Sequence, residues 1–220
     1  MMTSPTILAF DTSAAHCAAA LRSDGSLLDV REESMARGQA ERLMPLLEEV
    51  LAGQGLGWRD LDAIAVGVGP GNFTGIRISV AAARGLALSL GVPAVGVSNF
   101  EVWAADAPCL ICLDAPREQA FVQMFEADGS RGAPRLLQPD APVDDLRRDG
   151  LRLVGPAAPR LAERLKGEPV EAEPPVLPAR IAEIAARKLA DGAESGRPAP
   201  LYVRPADAAP PRDPAPLILP

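Results

Sequence analysis

The apolar pattern is organised around one stretch, VGVGPGNFTGIRISVAAARGLALSL. Residues 63–68 form an apolar run too short for a helix and β-branched enough for a buried strand. Gly69, Pro70 and Gly71 then force a sharp turn. Beyond it, Thr74 or Asn72 is placed to cap a helix over 76–90, rich in alanine and glycine. The chain ahead of this stretch alternates differently. Residues 7–10 predict a buried strand ending in the polar turn Asp11-Thr12-Ser13, HCAAALRS a second strand, and SLLDVREE, after a Ser23-Asp24-Gly25 hairpin signal, a third. A helix follows over 39–52. Pro45 fits there if the helix starts near Glu41 or Arg42, where a missing N–H costs nothing, and kinks it otherwise. After the central stretch come a strand at 93–97 and a helix at 99–105.

Three strands, helix, strand, helix, strand is the order of a ribonuclease-H-like lobe, the building block of actin, Hsp70 and sugar-kinase ATPases. The second half repeats it in reduced form. CLICLDA, then QAFVQMFEADGSRGAPRLL with an Asp128-Gly129 turn, then a single strand LRLVG are followed by helices over 159–166 and 179–191. The predicted fold is α/β, with two such lobes, the second smaller and degenerate. The division falls at 1–106 and 107–208, with a proline-rich tail, 209–220, of disordered or extended composition.

Charge narrows the function. The chain of 220 residues carries a net −7, so a free-standing nucleic-acid binder is disfavoured and any RNA contact belongs mainly to a partner. No run of 18 apolar residues appears, and the start MMTSPTILAF is neither basic nor long in apolar residues, which predicts a cytoplasmic protein with no membrane partner. Three cysteines make no disulfide framework. Cys109 and Cys112 sit three apart in an apparent strand, as His16 and Cys17 sit one apart, so each pair points to opposite faces and metal chelation is not expected.

Two turns are candidates for phosphate chemistry. Asp11, Thr12 and Ser13 follow the first strand, where actin-like ATPases hold magnesium and phosphate. Gly69, Gly71, Thr74 and Gly75 offer N–H groups at a helix start, where the dipole favours an anion. The same glycines serve equally to turn a corner. A second phosphate loop is expected near Asp114 to Arg117, which lacks a D-x-G pattern. With one histidine, His16, neither a metallopeptidase pair nor a selected serine–histidine couple can be assembled. No catalytic set emerges, which suggests a chain that binds and holds.

The segments ILAFDTS, AERLMPLLEEVL, DLDAIAVGVGPGNFTGIRISVAAARGLAL, GVPAVGVSN and YVRPADA together resemble the TsaB (YeaZ) family of the bacterial tRNA threonylcarbamoyladenosine machinery. The match is close over 6–105, looser through the second lobe, and returns at 202–208. The resemblance implies an actin-like fold without its own catalysis, paired with the homologous TsaD, which transfers a threonylcarbamoyl group to adenosine 37 of ANN-decoding tRNAs. It also implies a P-loop ATPase, TsaE, joining the pair, ATP used by partner proteins, and no cofactor of this chain. The chain departs from the family at Gln39-Ala40-Glu41 (usually His-Ser-Glu), Asn72 (usually Ser) and Pro116 (usually Arg). The alternatives are an independent actin-fold ATPase or small-molecule kinase, and a glycopeptidase-like protease.

A partner face is also readable. At about 100° per residue, Leu43, Met44, Leu46, Leu47, Val50 and Leu51 with Ala40 cover roughly 160°, wider than the stripe needed to pack on one sheet. The helix over 76–90 is apolar or small all round except for Arg77, Arg84, Ser79 and Ser89, and Ile78, Ala81 and Gly85 suit close approach of another helix. These residues are expected to form the TsaD-binding face and to support self-association in its absence.

Overall fold

The computed structural model describes residues 4–104, 108–192 and 197–203. The expected lobe boundary near 106 and the tail 209–220 lie outside the described residues. Strands β1 (Ile7–Asp11), β2 (His16–Ser23), β3 (Ser26–Ser34), β4 (Ala63–Gly67) and β5 (Ala94–Val97) form one sheet in the order β3-β2-β1-β4-β5. β1 pairs antiparallel to β2 and parallel to β4, so hairpin strands lie on one side of β1 and crossover strands on the other. The crossovers are supplied by α1 (Gln39–Gly53) and α2 (Phe73–Leu90).

β1 is apolar on both faces because both faces are covered. Leu8 and Phe10 join Leu46, Leu47 and Val50 of α1 and Ile76 and Val80 of α2. Ile7 and Ala9 turn the other way, onto Ile181, Ala182 and Ala185 of α5 (Leu177–Ala190). The chain thus sends a helix from its far end back to close the first lobe. Burial of each of the Leu, Ile, Val and Phe side chains among these contributes about 1.5–3 kcal/mol.

The second sheet contains β6 (Cys109–Asp114), β7 (Ala120–Phe125), β8 (Arg135–Leu137), β9 (Arg152–Val154) and β10 (Glu168–Pro169). Its order β8-β7-β6-β9-β10, antiparallel on one side of β6 and parallel on the other, reproduces the first sheet strand for strand. Both lobes are ribonuclease-H-like. The expectation of one strand after the hairpin is corrected: β10 adds a parallel partner to β9. It is two exposed residues, one of them proline, and so gives no apolar signal. One face of this sheet packs on α4 (Ala158–Leu165); the other meets Phe100 and Trp103 of α3 (Asn99–Trp103), together with Leu201 and Val203. Cys112 belongs to the first of these layers and Cys109 to the second, as strand alternation requires.

α1 begins at Gln39, as expected for the helix over 39–52, and not near Glu41 or Arg42, so Pro45 lies inside it and leaves the Glu41 carbonyl without its helical donor. The start of α2 moves. α2 begins at Phe73 with Asn72 as its cap, whose side chain accepts from Gly75 N at 2.9 Å. By length and mean hydropathy α2 passes for a membrane-spanning helix. Ile76, Val80, Ala83 and Ala87 are nevertheless buried against the sheet, and Arg77 interrupts the opposite side.

Candidate functional site: a sealed loop pair and an open helix face

The candidate phosphate residues do come together at the carboxyl ends of β1 and β4. Asp11 is fully buried. Its Oδ1 accepts from Ser13 N at 2.7 Å, Ser13 Oγ at 2.8 Å and His16 Nε2 at 2.8 Å. His16 Nδ1 stands 3.6 Å from Glu32 Oε1, so the ring is held between two carboxylates. The hydrogen bond to Asp11 raises the His16 pKa above the usual histidine value, against the opposing effect of burial. Asp11 therefore sits between His16 and Ser13, and the serine–histidine hydrogen bond that activates a nucleophile is not made here.

The two loops are stitched to one another. Asn72 N donates to Ser13 O at 2.6 Å, and Thr12 Oγ1 donates to Gly75 O at 2.7 Å. Asn99 adds a third tie: its backbone N reaches Gly69 O, and its Nδ2 reaches Pro70 O at 2.8 Å and Ser13 Oγ at 3.2 Å. The glycines are needed for this contact. A Cβ at Gly71 would lie 2.4 Å from Ser13 O, and one at Gly75 would lie 1.8 Å from Thr12 O. Their missing side chains admit the neighbouring backbone, and the seam between the loops is filled by protein. Thr74 is exposed on the first turn of α2. In the second lobe the corresponding hairpin turns through Arg117 and Glu118, both at positive φ.

The expected partner face needs correction. Leu43, Leu46, Leu47, Val50 and Leu51 are 0–2% exposed and form the first lobe's own core. They cannot meet a partner without unpacking it. The wide apolar arc of α1 is consumed because the helix touches both the sheet and α2. What remains outside is narrower: Met44 on α1, and on α2 the exposed Ala81 and Gly85 with the half-buried Ile78. Phe73, Arg77, Arg84 and Leu88 complete that stripe, with Leu88 82% exposed.

The segment 197–203 borders the stripe, which sequence reasoning did not place. Leu201 N donates to Val68 O at 2.8 Å, while Leu201 and Val203 pack toward the second sheet. Tyr202 faces α2: Arg77 Nε donates to its hydroxyl at 2.7 Å, its ring lies 5.0 Å from that of Phe73, and the Arg77 guanidinium sits 3.8 Å over Phe73. Gly67 and Asn99 were likewise missed. A glycine inside an apolar strand, and the Ser98-x-x-Glu101 capping box around Asn99, were the available signals.

Comparison with known proteins agrees with this arrangement. Residues 30–133 match the family model described as TsaD, tRNA N6-adenosine threonylcarbamoyltransferase. A tRNA threonylcarbamoyladenosine biosynthesis protein TsaB from Haemophilus influenzae is 39% identical over 99 residues, 45% of this chain and 42% of that protein, so the matched stretch spans less than half of its length. An uncharacterized protein of Mycobacterium bovis is 34% identical over 212 residues, 93% of this chain and 94% of that one. The solved structure of YeaZ from Pseudomonas aeruginosa superposes with a TM-score of 0.71 at 27% identity, over 90% of this chain and 99% of that one. These likenesses place the chain in the TsaB (YeaZ) family.

Proposed function

We propose that the chain is a non-catalytic scaffold subunit in the synthesis of threonylcarbamoyladenosine on tRNA, and that it docks a TsaD-type transferase through the outer side of α2. The observation that carries this is the exposed stripe Phe73, Ala81, Gly85 and Leu88 on a helix whose opposite side is core. A small-residue stripe lets a second helix backbone approach closely, and the flanking Arg77 and Arg84 favour acidic residues on that helix. Met44 extends the surface onto α1. A partner of homologous fold presents a matching helix pair, and self-association through the same stripe is expected when it is absent. Transfer of the threonylcarbamoyl group, ATP use by a TsaE-type ATPase and most contacts to tRNA then belong to partners, in keeping with the net charge of −7.

The test is co-purification with the TsaD-type protein of the same organism. Ala81 is exposed, so Ala81→Glu is expected to leave the melting temperature of the lone chain unchanged while abolishing the complex. Retention of the complex by that variant, or failure of the unaltered chain to bind the transferase at all, overturns the reading. ATP hydrolysis by the purified chain that disappears in Asp11→Asn would establish the ATPase alternative instead.

A further inference from the structure

On the other side of the first lobe, away from α2, a cleft of about 400 Å³ lies between α5 and the loop that joins β7 to β8. Its floor is Glu101, 8% exposed, whose Oε1 is approached by Arg131 Nη1 from the loop and by Lys188 Nζ from α5, each at 2.8 Å. Two cations on one carboxylate leave a surplus positive charge at the floor. The pattern repeats on the α5 wall. Arg180 Nη1 donates to Glu183 Oε2 at 2.7 Å, while Arg187 stands 4.0 Å from the same carboxylate, beyond hydrogen-bond length.

Of the acids at the mouth, Glu126 has both oxygens on Arg148. Among the described residues of the cleft and their ion-pair partners, five cations (Arg131, Arg148, Arg180, Arg187 and Lys188) meet four carboxylates (Glu101, Glu126, Glu183 and Asp191), in a chain whose net charge is −7. Each guanidinium carries five N–H donors in a planar fork. Arg131 directs one nitrogen at Glu101, and its guanidinium lies 5.3 Å over the Phe125 ring. Donors therefore exceed acceptors in a concave, partly desolvated space, and they come from both lobes.

We propose that this cleft binds a small oxyanion of the phosphate class, either free phosphate or the phosphoryl group of a small metabolite. A guanidinium fork pairs with phosphoryl and carboxylate oxygens alike, and a phosphoryl group offers three oxygens, enough to engage donors from both walls at once. The volume exceeds that of phosphate alone and admits an attached sugar. A bound anion joins Arg131 of the second lobe to Arg187 of the helix that closes the first, and so stiffens the junction between the lobes. The site shares no residue with the α2 stripe, and its test is independent of the transferase.

The test is calorimetric titration of the full chain with inorganic phosphate at low ionic strength, with chloride at matched ionic strength as control. Saturable one-to-one binding of phosphate but not chloride is expected. Arg187→Gln, at a side chain 54% exposed, is expected to fold normally and to weaken binding about tenfold, the loss of one charge-assisted hydrogen bond. Arg84→Gln on α2 is expected to leave it unchanged. Ribose 5-phosphate and adenosine 5′-monophosphate separate the sources: equal affinity for all three assigns the site to the phosphoryl group alone, and tighter adenosine 5′-monophosphate assigns it to a nucleotide. Absence of saturable phosphate binding, equal response to chloride, or unchanged binding by Arg187→Gln overturns the proposal.

Discussion

A Cβ placed on Gly67 would lie 1.9 Å from Asp11 Oδ2 and 2.8 Å from its carboxyl carbon. The buried acid at the end of β1 is thus accommodated by the missing side chain at the end of β4, its parallel neighbour. Asp11 cannot rotate away cheaply, because its other oxygen holds Ser13 and His16. Gly67→Ala is therefore expected to break part of that cluster and to destabilise the chain by about 2–4 kcal/mol, the range for overpacking combined with loss of charge-assisted hydrogen bonds. Urea denaturation measures it. A loss under about 0.5 kcal/mol, the scale of a neutral surface change, would mean that β4 shifts to make room.

His16 links stability to pH. Its folded pKa is raised by the hydrogen bond to Asp11, so the folded state holds the proton more tightly than the unfolded chain does. By linkage, the stabilisation is fully present below the unfolded histidine value of about 6.5 and is lost as pH rises through the folded pKa. The stability difference between the unaltered chain and His16→Gln is accordingly expected to be largest near pH 6 and to shrink on the alkaline side. A difference that grows with pH would require His16 to be neutral in the fold.

The β6–β7 turn carries local strain. Gln119 N donates to Pro116 O at 3.3 Å across a turn whose central residues, Arg117 and Glu118, have φ of 60° and 58°. Left-handed geometry costs about 1–2 kcal/mol for an L residue with a side chain, while glycine costs about 0.5–1 kcal/mol in added unfolded-state freedom. Glu118→Gly is expected to stabilise by the difference, about 0.5–1 kcal/mol. Arg160 reaches the carbonyl of Glu118, not its side chain, so that staple survives the substitution. A melting curve shifted downward would show that the side chain does something the backbone geometry does not require.

The first lobe was legible because each of its elements has its own signal: a continuous apolar run in β2, alternation in β3, an apolar run at β4, a cap at Asn72. Less legible was which apolar residues stay outside. Leu46 and Met44 read alike along α1, yet one is sealed and the other 37% exposed, because exposure depends on where α2 crosses and no local pattern encodes that. β10 escaped notice because two residues held by pairing to Arg152 and Leu153 need no apolar character. The glycine loop was legible as a special backbone but ambiguous in purpose. Only Thr12 O and Ser13 O, dozens of residues away in sequence, show what occupies the space that the glycines leave.

Gly85 separates stability from association. It lies in the middle of α2, exposed, and a Cβ added there meets nothing within 4 Å. Packing among the described residues therefore gives no reason for glycine, and mid-helix glycine costs about 0.5–1 kcal/mol relative to alanine. Gly85→Ala is expected to stabilise the lone chain by that amount. If a partner helix crosses at this point, the added methyl meets its backbone, and the same variant binds the transferase more weakly although it folds better. Thermal denaturation and titration of the complex read the two effects separately. Stabilisation without loss of binding would move the crossing point along α2, toward Ala81 or Leu88; loss of stability would mean that Gly85 serves the helix itself.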